Sequence, residues 1–526
     1  MRTIVWSVIR VCGQERRKTM KAFSKALCLI TVILALMCQA VSCGGGGKPL
    51  ETLTPDTGSE TGTDVITSMP EETTYRRVED SLPVSLNLSG TKVRFLAPKV
   101  TAQTTVVDLY ALELTSEPVN DSVYNRELFV EERLGVSIEF PKYSGSFLSE
   151  MQKQAQSGDE TFDIYCGIQH EMADYCFDGY YLDLSELDYL DFGQPWWNSD
   201  FINECSIRNK VFMITGSLSL DLLREVFAVY YNKSMATDYS AVKEGLDDLY
   251  AVVDSGKWTM DRMMELSDGI YRDLNGDQIH DLEDVYGILV IENAAAMPWG
   301  AFDLSAFEKD EDDWFVFNVN EEKLFDACQK MYDLYYENPG SVTSYLSLSD
   351  NSARTIFAGG NALFLIDRLS SVEKTEFRNM KDDYGILPQP KFDEGQKEYC
   401  AYPDEFTCFS IPATNASPDA AAAVLEAMAS YSYNETVPTY LDLALKGRYM
   451  SDAQSRKMID LLVGNIKIEA AWTYLDEIGA HYAPAFRRLI WDRKTSFAAQ
   501  HQESVAAVKR ALTAYKIRYR SVFGDD

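Results

Sequence analysis

The chain is short of positive charge, of histidine and of the spacings that mark catalytic centres. Its 526 residues carry 49 Lys and Arg against 81 Asp and Glu, a formal net charge of −32. Nucleic-acid binding needs a basic surface to neutralise phosphates, so that class is excluded. Only four histidines occur, none in an HExxH pattern, which leaves little for a catalytic metal. No cysteine pair has CxxC spacing, so a zinc ribbon is also excluded. No P-loop, dinucleotide fingerprint or GxSxG elbow is present, and Leu218 follows Gly216-Ser217 where an elbow needs its serine. Carboxylate pairs of the glycoside-hydrolase kind arise by chance in so acidic a chain and identify nothing.

What is present begins with a leader. A short basic head, Met20-Lys21-Ala22-Phe23-Ser24-Lys25, precedes an apolar stretch from Ala26 to Met37, then Ala40-Val41-Ser42-Cys43 and four glycines. That order is the pattern of a secretory signal peptide. The apolar stretch is broken by Gln39 and falls short of the roughly 20 residues a membrane span needs. A cysteine directly after small residues resembles a bacterial lipobox, in which Cys43 becomes the lipidated first residue. Arg16, Arg17 and Lys18 extend the basic head if Met1 is the start, and lie outside it if Met20 is. Cleavage after Ser42 leaves 42 Lys and Arg against 80 Asp and Glu, a net charge of −38. The expectation is an extracytoplasmic body on a lipid anchor, repelled by an anionic membrane surface. Six cysteines remain beyond Cys43: Cys166, Cys176, Cys205, Cys328, Cys400 and Cys408. Export permits disulfides, with Cys166–Cys176 and Cys400–Cys408 nearest in sequence, but their scatter favours buried free thiols.

Residues 43–87 are rich in Gly, Thr, Ser, Glu and Pro and poor in aromatics, which suits a disordered tether. Flexible chain of that length spans roughly 35–40 Å. Beyond it the pattern alternates. Lys92–Ala97, Val136–Phe140 and Phe162–Tyr165 read as strands separated by helical segments near 121–134 and 152–157. Val211–Thr215, Glu225–Tyr231, Tyr286–Ile291, Ala362–Ile366, Tyr384–Leu387 and Glu405–Ile411 read as further strands, and residues 418–520 as mostly helical. Alternating strands and helices predict an α/β fold with parallel sheets.

Several segments, in order, resemble a known family. They are Asp163-Ile164-Tyr165 ending a strand, Tyr181-Leu182-Asp183-Leu184-Ser185, Gln194-Pro195-Trp196-Trp197-Asn198, Val229-Tyr230-Tyr231-Asn232-Lys233, Lys257-Trp258-Thr259-Met260-Asp261, the run Tyr384 to Lys391, and Ile411-Pro412-Ala413 before an Ala-rich helix. Over residues 90–520 the chain resembles the extracellular solute-binding lipoproteins of carbohydrate ABC importers, of the maltodextrin-binding type. The resemblance implies a two-lobed periplasmic-binding-protein-like α/β fold with a hinge, an inter-lobe ligand cleft and a helix-rich second lobe. It places the first lobe at 88–228, completed by about 395–430, the second at 229–394, and helices completing the body at 431–526. It also implies a monomer that closes on a carbohydrate and docks on permease subunits. A peptide or other polar solute, a surface glycan-binding module without a permease, and a glycoside hydrolase are the alternatives.

A sugar site needs aromatic faces and fixed polar partners. Trp299 follows a predicted strand and so lies near a strand's carboxyl end, where open α/β sheets bind ligands. Trp472, Trp196 and Trp197 are further stacking candidates. Trp258 precedes Thr259, a predicted helix N-cap, and reads as a helix staple. The polar candidates are Gln169 and His170 after the strand ending Ile164-Tyr165, Asp367 and Arg368 after Ala362–Ile366, Tyr231 on a crossing strand, and Glu405 near the return. Core packing and structural ion pairing are the competing roles for all of these residues.

The segment 273–284 resembles an EF-hand-type loop. Asp273, Asn275, Asp277, Asp281 and Asp284 fall at oxygen-donor positions and Ile279 at the backbone-carbonyl position. Gln278 stands where such loops have glycine, and Asp284 is shorter than the usual glutamate. A structural Ca2+ is expected here; an acidic turn is the alternative.

Overall fold

The central strands of the body are short, buried and largely apolar runs, and the strands sort into two main sheets and a hairpin. The computed structural model describes residues 77–99, 108–296, 298–343, 348–445, 453–475, 478 and 482–524, within one compact unit spanning Tyr75–Asp526. The leader and Cys43 lie outside the described residues.

The first sheet contains β1 (Lys92–Leu96), β2 (Ser137–Glu139), β3 (Ile164–Ile168) and β11 (Thr407–Ser410), in the order β11-β3-β1-β2. The first three strands are parallel, and β11 joins antiparallel to β3. The second sheet has the order β10-β4-β9-β5-β8: β4 is Phe227–Asn232, β5 Tyr286–Val290, β8 Ser341–Thr343, β9 Ala362–Arg368 and β10 Tyr384–Leu387. Here β5, β8 and β9 are parallel, while β4 runs antiparallel to both β9 and β10. A two-stranded hairpin, β6 (Phe307–Lys309) and β7 (Phe315–Phe317), stands apart.

The helices follow their caps. The helix α1 (Pro118–Leu134) has Pro at its first position, a Glu117 side chain accepting from Asn120 N–H, and Gly135 in the left-handed region at its end. Thr259 caps Met260–Ser267, and Trp258 is fully buried, its indole N–H donating to Pro388 O at 2.9 Å. The Ala-rich helix Pro418–Tyr431 is buried along most of its length and packs on α1 in the first lobe.

The structure departs from sequence expectation in three places. Val211–Thr215 is not a strand; it makes only isolated bridges, Ile214 with Phe409 among them. Strand β8 and the β6–β7 hairpin, each three residues per strand, were not legible as strands. Residues 77–87, placed in the tether by composition, pack on the body: Leu82 is buried, Val78 N–H donates to Asn434, and Asp80 pairs with Arg133. All six described cysteines are free and buried.

Candidate functional site

Strand ends of both sheets border the two segments that cross between them. In the second sheet β5 and β9 both end at this edge, and β4 begins there. In the first, β3 ends where β11 begins. The chain passes between the lobes at 225–227 and again at 402–405. These two crossings pair with each other: Val226 bridges Pro403, Phe227 N–H donates to Tyr402 O, and Asp404 N–H donates to Glu225 O. Such strand ends carry loops free of the ladder, which is where open α/β sheets bind ligands.

The residues that emerge here are mostly charged. Arg368, at the end of β9, pairs with Glu225 at 2.7 Å and with Asp404. Asn293, just past β5, donates to Asp404 Oδ2 at 2.9 Å. Arg224 binds Glu373 of the second lobe at 2.6 Å and Asp108 of the first. His170 faces Glu405 at 3.8 Å. The hydrogen bond from His170 holds the Glu405 carboxyl below its ordinary value, while burial pushes Glu225 up to about 7 against the pull of Arg368. Planar carboxylates and guanidinium groups held this way exchange two hydrogen bonds at once with vicinal hydroxyls.

The sequence candidates separate into groups. His170, Arg368 and Glu405 stand in this charged band. Gln169 lies beside them but turns inward: its carbonyl oxygen accepts from Phe406 N–H at 3.0 Å, which clamps the return crossing. Asp367 is fully buried and accepts from Nε and Nη2 of Arg354, at 2.6 and 3.0 Å. Tyr231 is buried in the second lobe, edge-on to Tyr250. Trp196 and Trp197 are buried in the first lobe, and Trp197 donates to Glu426 at 2.8 Å. Trp299 and Trp472 are buried beside Tyr402: a methyl group at Gly300 would overlap Tyr402 at 2.6 Å, and Trp472 meets the Tyr402 ring edge-on at 6.3 Å. The guanidinium of Arg487 lies 5.2 Å from the centre of the Trp472 ring. Arg224, Glu225, Asn293, Asp404 and Arg487 went unnoticed in the sequence. Glu225 could have been found, since it opens the predicted strand Glu225–Tyr231, whose first residues form a crossing.

The 273–284 loop lies in the second lobe, between Met260–Ser267 and β5. Asp273 accepts from Gly276 and Gln278 N–H, Asp277 from Ile279 N–H, and Asp281 from Glu283 N–H. Asp284 is fully buried and accepts from the Tyr271 hydroxyl at 3.2 Å. Gln278 adopts φ +62°, the left-handed backbone that glycine takes in loops of this type. Among the described residues no group of three or more His, Cys, Asp or Glu is placed to hold a metal ion.

No protein-family model matches the chain, and no curated protein matches it in sequence. Solved structures do match. A cyclo/maltodextrin-binding protein complexed with maltotetraose aligns with a TM-score of 0.50 at 12% identity, over 80% of this chain and 96% of that one. The GacH receptor of Streptomyces glaucescens GLA.O aligns at 0.47 and 13% identity, over 84% and 100%. The maltose/maltodextrin-binding domain MalE of Bdellovibrio bacteriovorus aligns at 0.47 and 15%, over 80% and 99%. The chain has the two-lobed α/β fold of the maltodextrin-binding protein, with its two sheets joined by paired crossing segments.

Proposed function

We propose that this protein is the extracytoplasmic substrate-binding component of an ABC importer, capturing a sugar or oligosaccharide between its lobes and delivering it to permease subunits. The observation that carries the reading is the band of Arg368, Glu225, Asp404, His170 and Glu405 at the strand ends that border the crossings, with Trp299 and Trp472 nearby. It supplies the planar hydrogen-bonding groups that a carbohydrate needs, while Trp299 and Trp472 are buried behind it. A solved protein of the same fold, a cyclo/maltodextrin-binding protein, is described with maltotetraose bound. The protein acts as a monomer, lipid-anchored through Cys43, and binds without catalysis. Among the described residues no helix is long and apolar enough to cross a membrane.

The test is a thermal-shift screen of the full chain against mono- and oligosaccharides, peptides and other polar solutes. A ligand at a hundredfold excess over Kd adds about 2.7 kcal/mol of stability. A shift with one sugar class names the ligand; shifts with peptides alone would sink the carbohydrate reading. Structural calcium in the 273–284 loop is a separate part of the proposal, supported by the oxygen spacing and the left-handed backbone at Gln278. Calcium should raise the melting temperature of the wild type, and Asp273→Ala with Asp277→Ala should remove that rise. A rise that survives both substitutions places the ion elsewhere.

A further inference from the structure

The helix Ala483–Trp491 packs on residues 292–296, the turn just past β5 at its carboxyl end. Asn293 of that turn reaches Asp404 on the return crossing, so the helix flanks the charged band. It carries Arg487, half-buried, whose guanidinium lies over two indoles, 5.2 Å from the centre of the Trp472 ring and 4.7 Å from that of Trp491.

Arg487 differs from the other arginines around the crossings. Arg224 holds Asp108 and Glu373, Arg354 holds Asp367, and Arg368 holds Glu225 and Asp404. Among the described residues Arg487 makes no ion pair and no hydrogen bond; Nε is buried without a partner, and the two Nη atoms complete the open end of the fork. The carboxylate oxygen of Asp404 is already taken by Arg368 and Asn293. Burial lowers the pKa of the Arg487 guanidinium, although Asp404, Tyr402 and Glu292 favour its charge from further off. A carboxyl in such a place would take up a proton and become neutral. A guanidinium does not give its proton up near neutral pH, so the position stays charged and short of acceptors. The stacked indoles do not supply them: rings engage the flat face of the group and leave its N–H edge unused. A carboxylate matches that edge, accepting two parallel hydrogen bonds. The chain's net charge of −32 opposes an anionic ligand at a distance. Screening over about 8 Å at physiological salt leaves the local pair to decide.

We propose that Arg487 receives a carboxylate borne by the captured sugar, so that the preferred ligand is a uronate-bearing oligosaccharide. This rests on the carbohydrate reading above and specifies its substrate class.

The experiment is calorimetric titration of the full chain at neutral pH with trimers of galacturonate and of mannuronate, the methyl esters of both, maltotriose, and citrate as a non-sugar carboxylate. One of the acid trimers should bind at least tenfold more tightly than its own ester. Arg487→Gln should erase that preference with binding of the ester unchanged, and Arg487→Lys, which keeps the charge but not the fork, should retain part of it. Arg488→Gln, on the exposed side of the same helix, should leave it intact. Equal affinity for acid and ester in the wild type, a preference that survives Arg487→Gln, or binding of maltotriose with neither uronate bound overturns the proposal and leaves the carbohydrate reading standing. Citrate binding that depends on Arg487, with no sugar bound, keeps a carboxylate site there and overturns the carbohydrate reading together with the uronate. No binding of any of these compounds overturns both.

Discussion

Asp221 illustrates what the interior does to a single carboxyl. It is fully buried, accepts from the Thr407 hydroxyl at 2.5 Å, and burial pushes it up to about 7. An unfolded aspartate titrates near 3.9. The folded state therefore holds the proton more tightly, and the stability it contributes is present below about pH 4 and lost as pH rises through 7. Asp221→Asn should flatten that slope: relative to wild type, the variant should gain stability between pH 5 and pH 8, by a few kcal/mol at most. Melting temperatures at the two pH values check this, and an unchanged difference would rule it out. Arg368 is the opposite case, a cation whose loss strands two acids. Arg368→Ala leaves Glu225 and Asp404 without their partner and should cost about 3–5 kcal/mol, measured by urea unfolding. It should also abolish the ligand-induced thermal shift.

At the scale of elements, the pairing of β10 with β4 depends on a residue without a side chain. A methyl group at Gly385 would lie 2.1 Å from the Tyr231 ring and 2.6 Å from the Tyr250 hydroxyl. Gly385→Ala should destabilise the second lobe by about 1–3 kcal/mol, and Gly464→Ala, which meets nothing, should be silent. Chemical denaturation of the two variants side by side reads the difference. These strands were legible in the sequence because buried β-strands are unbroken apolar runs, as in Phe227-Ala228-Val229-Tyr230-Tyr231. Strand β8 was not, since three residues carry no period. The stretch Val211–Thr215 misled for a related reason: it is apolar because it is buried, yet it makes only single bridges. The candidate site was half legible. Strand ends pointed to His170, Arg368 and Glu405, but nothing local announces that Asp404 and Glu225 share one arginine across distant parts of the chain. Tyr231 and Gln169 drew attention by position and turned out to face inward, because strand position alone does not say which face a side chain takes.

At the scale of the whole molecule, Arg224 is one of several ties between lobes, holding Asp108 on one side and Glu373 on the other. Arg224→Gln should loosen the ligand-free protein, seen as a larger radius of gyration by small-angle scattering. Apparent affinity should fall in proportion to the lost fraction of the binding-competent form. A variant as compact as wild type with unchanged affinity would show that the tie does not govern closure. The long helix Phe497–Phe523 also spans both lobes, through Arg518 to Asp178 and through Tyr515, whose hydroxyl accepts from Phe315 N–H at 2.9 Å.

The position of β11 has a consequence for biogenesis. The first sheet borrows this strand from beyond residue 400, whereas every strand of the second sheet lies between Phe227 and Leu387. A chain emerging from its N-terminus can therefore assemble the later lobe before the earlier one has its last strand. Closing β3 against β11 joins residues about 240 apart, a long loop whose entropy delays the event. The half made first is therefore expected to be the half that folds last. Pulsed hydrogen exchange during refolding should protect β4, β5 and β9 ahead of β1 and β3.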